Sequence, residues 1–144
     1  MNNLNFDDGF REFVINNDAS KVIRINPSDV AMLTRFSEAQ KKIDEAIKNA
    51  GDIEITAEGK AVDFEVAGKK VEELDNLIKE QVDYVFNSKV ADMVFGNQSP
   101  MSNIGGISLF ERFLDCIEPV IKEAITAKRV ESKKRVSKYT KGLK

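Results

Sequence analysis

The chain has 144 residues, 42% hydrophobic and 32% charged, which suits one domain with a single core and is too apolar for wholesale disorder. It has no histidine and one cysteine, which excludes Ser-His-Asp and Cys-His catalysis, most zinc sites and an internal disulfide. No apolar run approaches the roughly 20 residues of a membrane-spanning helix, and the acidic amino terminus is unlike a signal peptide, so we expect a cytoplasmic protein.

Charge is segregated along the chain. Residues 128–144 carry eight basic side chains and one acid, about +7, and because the whole chain is −2, residues 1–127 carry about −9. We therefore expect one globular domain at 1–127 and a basic, helical carboxyl-terminal tail at 128–144. Such a tail is typical of a segment that binds an acidic protein surface or nucleic acid.

The amino-terminal region predicts a β-hairpin. Residues 10–15 and 21–25 are rich in β-branched and aromatic side chains, and residues 16–20 between them are types that favour turns. An isolated hairpin is marginal in water, so one of its faces should pack on helices.

A first helix is predicted at about 27–50. Asn26 is a suitable cap, Pro27 suits the first helical position, and Asp29 places negative charge in the first turn. Apolar residues then recur at helical spacing until Gly51 ends the pattern. A short hairpin at 52–64 is the alternative to a loop in the region that follows.

Two further helices are predicted, at about 66–87 and 107–139, with a single helical turn at 89–94 and a loop at 95–100 between them. Ser108 and Glu111 form a capping box for the last helix, Pro119 should kink it, and Cys116 reads as a buried thiol. The fold class is therefore mainly α (α+β), with an amino-terminal hairpin followed by three principal helices.

Residues that support chemistry are scarce. Asp7, Asp8 and Glu12 form an acidic cluster, for which a solvated surface is the usual interpretation and a metal or acid/base role the alternative. The adjacent Gly105 and Gly106 lack the flanking pattern of a phosphate-binding loop. We expect no enzyme activity, no metal and no cofactor.

Several short segments carry a further signal when they are taken together. They are Phe10-Arg11-Glu12-Phe13-Val14-Ile15-Asn16, Ile25-Asn26-Pro27-Ser28-Asp29, Asp83-Tyr84-Val85-Phe86, Val94-Phe95-Gly96, Ser99-Pro100 and Lys134-Arg135-Val136-Ser137-Lys138-Tyr139. This succession resembles the tail assembly chaperones of long-tailed, siphovirus-type phages and prophages of Gram-positive bacteria. The resemblance covers most of the chain, although residues 52–65 have no counterpart.

The resemblance implies a protein of the bacterial host cytoplasm that binds the long helical tape measure protein, keeps it soluble and helps tail tube subunits polymerise around it. It implies no enzyme activity. In that family, ribosomal frameshifting near the end of the gene adds a carboxyl-terminal extension, and the basic tail lies where this extension would begin.

A chaperone for amphipathic helices needs an apolar groove of its own, so residues at the edges of apolar stripes are candidate contacts, although a place in the core is the more usual interpretation of each. The candidates on the body are Phe86, Phe95, Met101, Phe110 and Phe113, and those on the tail are Lys133, Lys134, Arg135, Lys138 and Tyr139. Alternative interpretations are a nucleic-acid-binding regulator that acts through the tail and a structural tail subunit. Homo-oligomers are compatible with each.

Overall fold

The computed structural model describes residues 1–50 and 64–141, with side chains described as far as residue 126. The described part is mainly α-helical with small antiparallel hairpins, which confirms the α+β class. Its elements are β1 (Arg11–Ile15), β2 (Asp18–Ile25), α1 (Ala31–Ala50), α2 (Phe64–Phe86), α3 (Ala91–Phe95), β3 (Asn103–Ile104), β4 (Ile107–Ser108) and α4 (Leu109–Lys141).

The amino-terminal hairpin is confirmed, but its turn is tighter than predicted. Asn16 and Asn17 have φ angles of 51° and 60°, and asparagine tolerates this left-handed region better than most residues. Strand β2 therefore begins at Asp18, three residues earlier than the composition indicated. Hydrogen bonds from the Ser20 side chain and backbone lower the pKa of Asp18. Ile23 and Ile25 enter the core.

Helix α1 begins at Ala31, so the predicted start at residue 27 is wrong. The side-chain oxygen of Asn26 accepts a hydrogen bond from the Ser28 amide at 3.1 Å, and the backbone carbonyl of Asn26 accepts one from the Asp29 amide at 3.2 Å. These bonds close a turn that has to end before the helix can begin. Asp29 replaces Asn26 as the cap, because its carboxylate accepts a hydrogen bond from the Ala31 amide at 3.0 Å.

Helices α1 and α2 pack on each other and are joined by two side-chain hydrogen bonds. Arg35 Nε donates to the carbonyl of Val85 at 3.0 Å, and the hydroxyl of Tyr84 donates to Glu38 Oε2 at 2.6 Å. The two helices share an apolar core with the first hairpin, α3 and the start of α4, and Gln81 is the one polar residue buried among the described residues. The buried members of this core are Ile23, Ile25, Met32, Ala39, Ile43, Leu74, Ile78, Val82, Val85, Phe86, Val90, Ala91, Phe95, Phe113 and Ile117.

The connection between α2 and α4 is more ordered than a loop. Asp83 Oδ1 accepts hydrogen bonds from the amides of Val90 and Ala91, each at 2.8 Å, and so holds the start of α3, the helical turn predicted at 89–94. Strands β3 and β4, which the sequence analysis did not predict, form a hairpin around Gly105 and Gly106. Both glycines have positive φ, which a two-residue hairpin turn requires.

Helix α4 starts at Leu109, with the Ser108 hydroxyl accepting a hydrogen bond from the Glu111 amide at 3.1 Å as the capping box predicts. The helix continues through Pro119 to Lys141. Cys116 is exposed, so the expectation of a buried thiol is wrong. Cys116 lies about 60° around the helix from Phe113, at the edge of the apolar stripe.

Two sequence predictions fall outside this description. The short hairpin at 52–64 lies outside the described residues except for Phe64, which is the first residue of α2. The boundary at residue 127 stays a prediction. Within the described ranges, no helix is long and apolar enough to span a membrane.

Candidate partner-binding groove

An open apolar groove of about 240 Å³ lies between α1, α2, the first turns of α4 and the loop before β3. Helix α1 contributes residues at helical spacing along one face, from Phe36 to Ile47, a length of about 16 Å at 1.5 Å per residue. Helix α2 contributes a parallel row. The apolar lining consists of Phe36, Ala39, Ile43, Ile47, Val82, Val85, Phe86, Met101, Phe110 and Leu114.

The groove has one buried polar group that is not satisfied. Gln81 lines the groove and is 8% exposed, and its Oε1 atom has no hydrogen-bond partner among the described residues. A buried carbonyl oxygen without a partner costs about 1–3 kcal/mol, so natural folds rarely keep one without a reason. A ligand that presents an N–H or O–H group at this point would satisfy the oxygen.

The charged residues that line the groove are both acids. Asp44 lies on α1 and Glu111 in the first turn of α4, and both are exposed. Within the described lining, no basic residue balances them. The groove lining therefore combines an apolar surface with two negative charges, which favours an apolar segment that also carries positive charge.

The structure brings three of the five candidate residues of the body together in this groove: Phe86, Met101 and Phe110. Phe95 and Phe113 do not line the groove, and both are buried in the core, as Phe86 also is. The ring of Phe113 meets those of Phe86 and Phe95 edge to face, with centroids 5.8 and 6.1 Å away. Phe95 and Phe113 therefore stabilise the core and are not available to contact a partner.

The five candidates of the tail lie on the last part of α4, where the backbone is helical. They are Lys133, Lys134, Arg135, Lys138 and Tyr139, and their side chains lie outside the described part of the structure.

The sequence analysis missed the α1 side of the groove and Gln81. A signal for Gln81 was present, because a glutamine beside Val82 in the row Leu74, Ile78, Val82, Val85 places an amide at the edge of an apolar stripe. Whether the end of this row near Gln81 borders an open groove depends on where α1 and α4 pack against α2. Spacing along one helix carries no information on that point.

Two acids of the cluster near the amino terminus form ion pairs. Asp7 pairs with Arg11 at 3.2 Å, and Asp8 lies 3.8 Å from Arg24. Among the described residues, no group of three cysteine, aspartate or glutamate side chains is placed to hold a metal ion.

The described residues therefore form a mainly helical α+β fold with an open apolar groove. No family model matches the chain, and comparison with curated proteins and with solved structures found no match either.

Proposed function

We propose that this protein is a phage tail assembly chaperone that binds the tape measure protein through the groove, keeps it soluble and assists assembly of the tail tube. The observation that carries the proposal is the groove itself, an open apolar depression whose α1 wall is about three helical turns long. The resemblance of the sequence to that family also supports the proposal.

The length of the groove suits one side of an amphipathic helix. An amphipathic helix buries side chains at positions i, i+3, i+4 and i+7, which span about 10 Å of its axis. A channel of about 16 Å takes one such set.

Exposed apolar groups around the groove explain how the protein would act. Ile47 and Met101 are 40% and 36% exposed at its edges. Such groups offer a temporary partner surface to helices that would otherwise aggregate through their apolar faces. Chaperoning of this kind needs binding and release only, so it requires no catalytic group.

Coexpression tests the function. The tape measure protein encoded beside this chain is produced with it, without it, and with an unrelated acidic helical protein of similar size. We expect most of the tape measure protein in the soluble fraction only in the first case. Equal solubility in all three cases would refute the proposal.

The basic tail supports a second candidate, a nucleic-acid-binding regulator. Eight basic residues in 128–144 can neutralise several phosphates and give weak binding that falls steeply with salt. The net charge of about −9 on residues 1–127 opposes this function, and one tyrosine is the only aromatic residue of the tail. An electrophoretic shift of DNA or RNA at low salt would favour the regulator, whereas its absence would eliminate it.

A structural tail subunit differs from a chaperone in where the protein ends up. Mass spectrometry of purified particles would detect a structural subunit in fixed stoichiometry. The chaperone proposal expects the protein in the lysate and not in the particles.

A further inference from the structure

The basic tail contains a short apolar stripe. Val136, Tyr139, Thr140 and Leu143 stand at positions i, i+3, i+4 and i+7 of the sequence, the spacing of a helix that docks into a groove. The remaining positions of residues 128–144 supply a net charge of about +7. Tyr139 combines an apolar ring with an O–H donor.

These properties complement those of the groove between α1, α2 and α4 one by one. The groove is apolar, the charged residues of its described lining are Asp44 and Glu111, and the Oε1 atom of Gln81 has no donor. The four-residue stripe spans about 10 Å as a helix, against about 16 Å for the α1 wall.

The tail of the same molecule does not reach the groove while α4 stays helical. Leu114 lines the groove and Tyr139 lies 25 residues farther along α4, which is helical from Leu109 to Lys141. At 1.5 Å per residue the two are about 37 Å apart along the axis. A tail that fills the groove therefore comes from another molecule.

We propose that the groove binds residues 136–143 of a second copy of this chain. The hydroxyl of Tyr139 donates a hydrogen bond to Gln81 Oε1, and basic residues of the tail lie beside Asp44 and Glu111. The contact is heterologous, since groove and tail are different surfaces of one molecule, and it therefore links copies head to tail.

Charge favours the tail over the nearest other segment of the chain. Residues 51–63 follow α1 directly and contain four acids and one lysine, a net charge of −3. Two acids line the groove, so that segment would meet repulsion where the tail meets attraction.

The inference uses the same groove as the proposed function and deepens it. A tail from a neighbouring copy covers the apolar surface until a partner helix displaces it. Self-association and partner binding then compete, and dilution or salt shifts the balance between them.

Photo-crosslinking in the full chain tests where the tail lies. Gln40 lines the groove and is exposed, so Gln40→p-benzoylphenylalanine places the probe there without touching the tail. The probe-bearing protein is mixed with an equal amount of ¹⁵N-labelled protein lacking the probe, and the products are mapped by mass spectrometry. We expect adducts between labelled and unlabelled chains that contain residues 136–143.

A matched probe serves as the control. Glu72→p-benzoylphenylalanine is exposed on α2 and outside the groove, and it should give no tail adduct. Adducts from Gln40 to residues 51–63 of the same chain would overturn the proposal. So would the absence of any mixed-isotope product at millimolar protein concentration.

A double-mutant cycle tests the hydrogen bond. The dissociation constant for self-association is measured by sedimentation equilibrium for Tyr139→Phe, Gln81→Leu and the double variant. Each single change should weaken association about 3- to 10-fold, and the double variant should be no weaker than either single one. Losses that multiply in the double variant would show that the two groups do not meet.

Charge reversal separates the groove from general electrostatics. Asp44→Lys should weaken self-association several-fold at low salt and less at high salt, whereas Glu45→Lys, an equal charge change at the neighbouring exposed position outside the groove, should not. Equal effects of the two would contradict the proposal. Because these assays contain no partner, their outcome is independent of whether the tape measure protein is kept soluble.

Discussion

Replacing Gln81 by leucine should stabilise the free protein. The side chain is 92% buried, and its Oε1 atom has no hydrogen-bond partner among the described residues. Leucine has similar volume and no polar atom, so Gln81→Leu removes an unsatisfied carbonyl and adds apolar contact to the groove. The two residues also have similar helix propensities, so the backbone contributes little.

The expected gain follows from the desolvation of one carbonyl oxygen. An unsatisfied buried acceptor costs about 1–3 kcal/mol, and adjacent open space recovers part of that, so we expect about 1–2 kcal/mol of added stability. For a chain of this size that is a rise of about 3–6 °C in Tm. A binding residue kept at the expense of stability is what a functional groove predicts.

Urea unfolding followed by circular dichroism measures the effect, at two protein concentrations so that self-association is separated from folding. Gln40→Leu is the control, because Gln40 lines the same groove but is exposed, and it should change stability by less than about 0.5 kcal/mol. A loss of stability in Gln81→Leu would refute the reasoning, because it would mean that the amide makes a net favourable contribution to the fold.

Three other changes test the surroundings of the groove. Phe113→Ala should lower the free energy of unfolding by about 3–5 kcal/mol in urea, because it removes a buried ring from the edge-to-face contacts of the core. Asp83→Ala should cost about 1–2 kcal/mol, because Asp83 Oδ1 accepts both amides at the start of α3; an unchanged urea midpoint would contradict this. The hydrogen bond to Glu38 raises the pKa of Tyr84 above the ordinary 10. The stability that this hydrogen bond contributes is therefore complete below pH 10 and is lost as the pH rises through the pKa of Tyr84 in the folded protein. Ultraviolet titration of a variant whose other tyrosine is phenylalanine should show the midpoint fall on Glu38→Gln.

The hairpin and the helices could be predicted from the sequence because their signals are local. Turn-forming residues after Ile15, apolar residues at helical spacing and a Ser108 cap each act within one element. The start of α1 was placed four residues early for the same reason. Both Asn26 and Asp29 are suitable residues to cap the helix. The hydrogen bonds to Asn26 close a turn, and the helix begins only after that turn, at the Asp29 cap.

The groove could be predicted only in part because it is a tertiary property. Phe86, Met101 and Phe110 were identified from stripe edges and line the groove, whereas Phe95 and Phe113 were identified in the same way and do not. Phe95 of α3 and Phe113 of α4 pack edge to face against each other in the core instead. Spacing identifies an apolar face but does not say whether another element covers it.

The most direct test of the account compares two methionines of similar exposure. Met101 is 36% exposed and lines the groove, whereas Met93 is 39% exposed on α3 and outside it. The tape measure protein is coexpressed with wild type, Met101→Glu or Met93→Glu, after circular dichroism has shown that both variants fold. The account predicts that Met101→Glu loses most of the soluble tape measure protein and that Met93→Glu retains it. Equal yields from the two variants would contradict the claim that the groove is the binding surface.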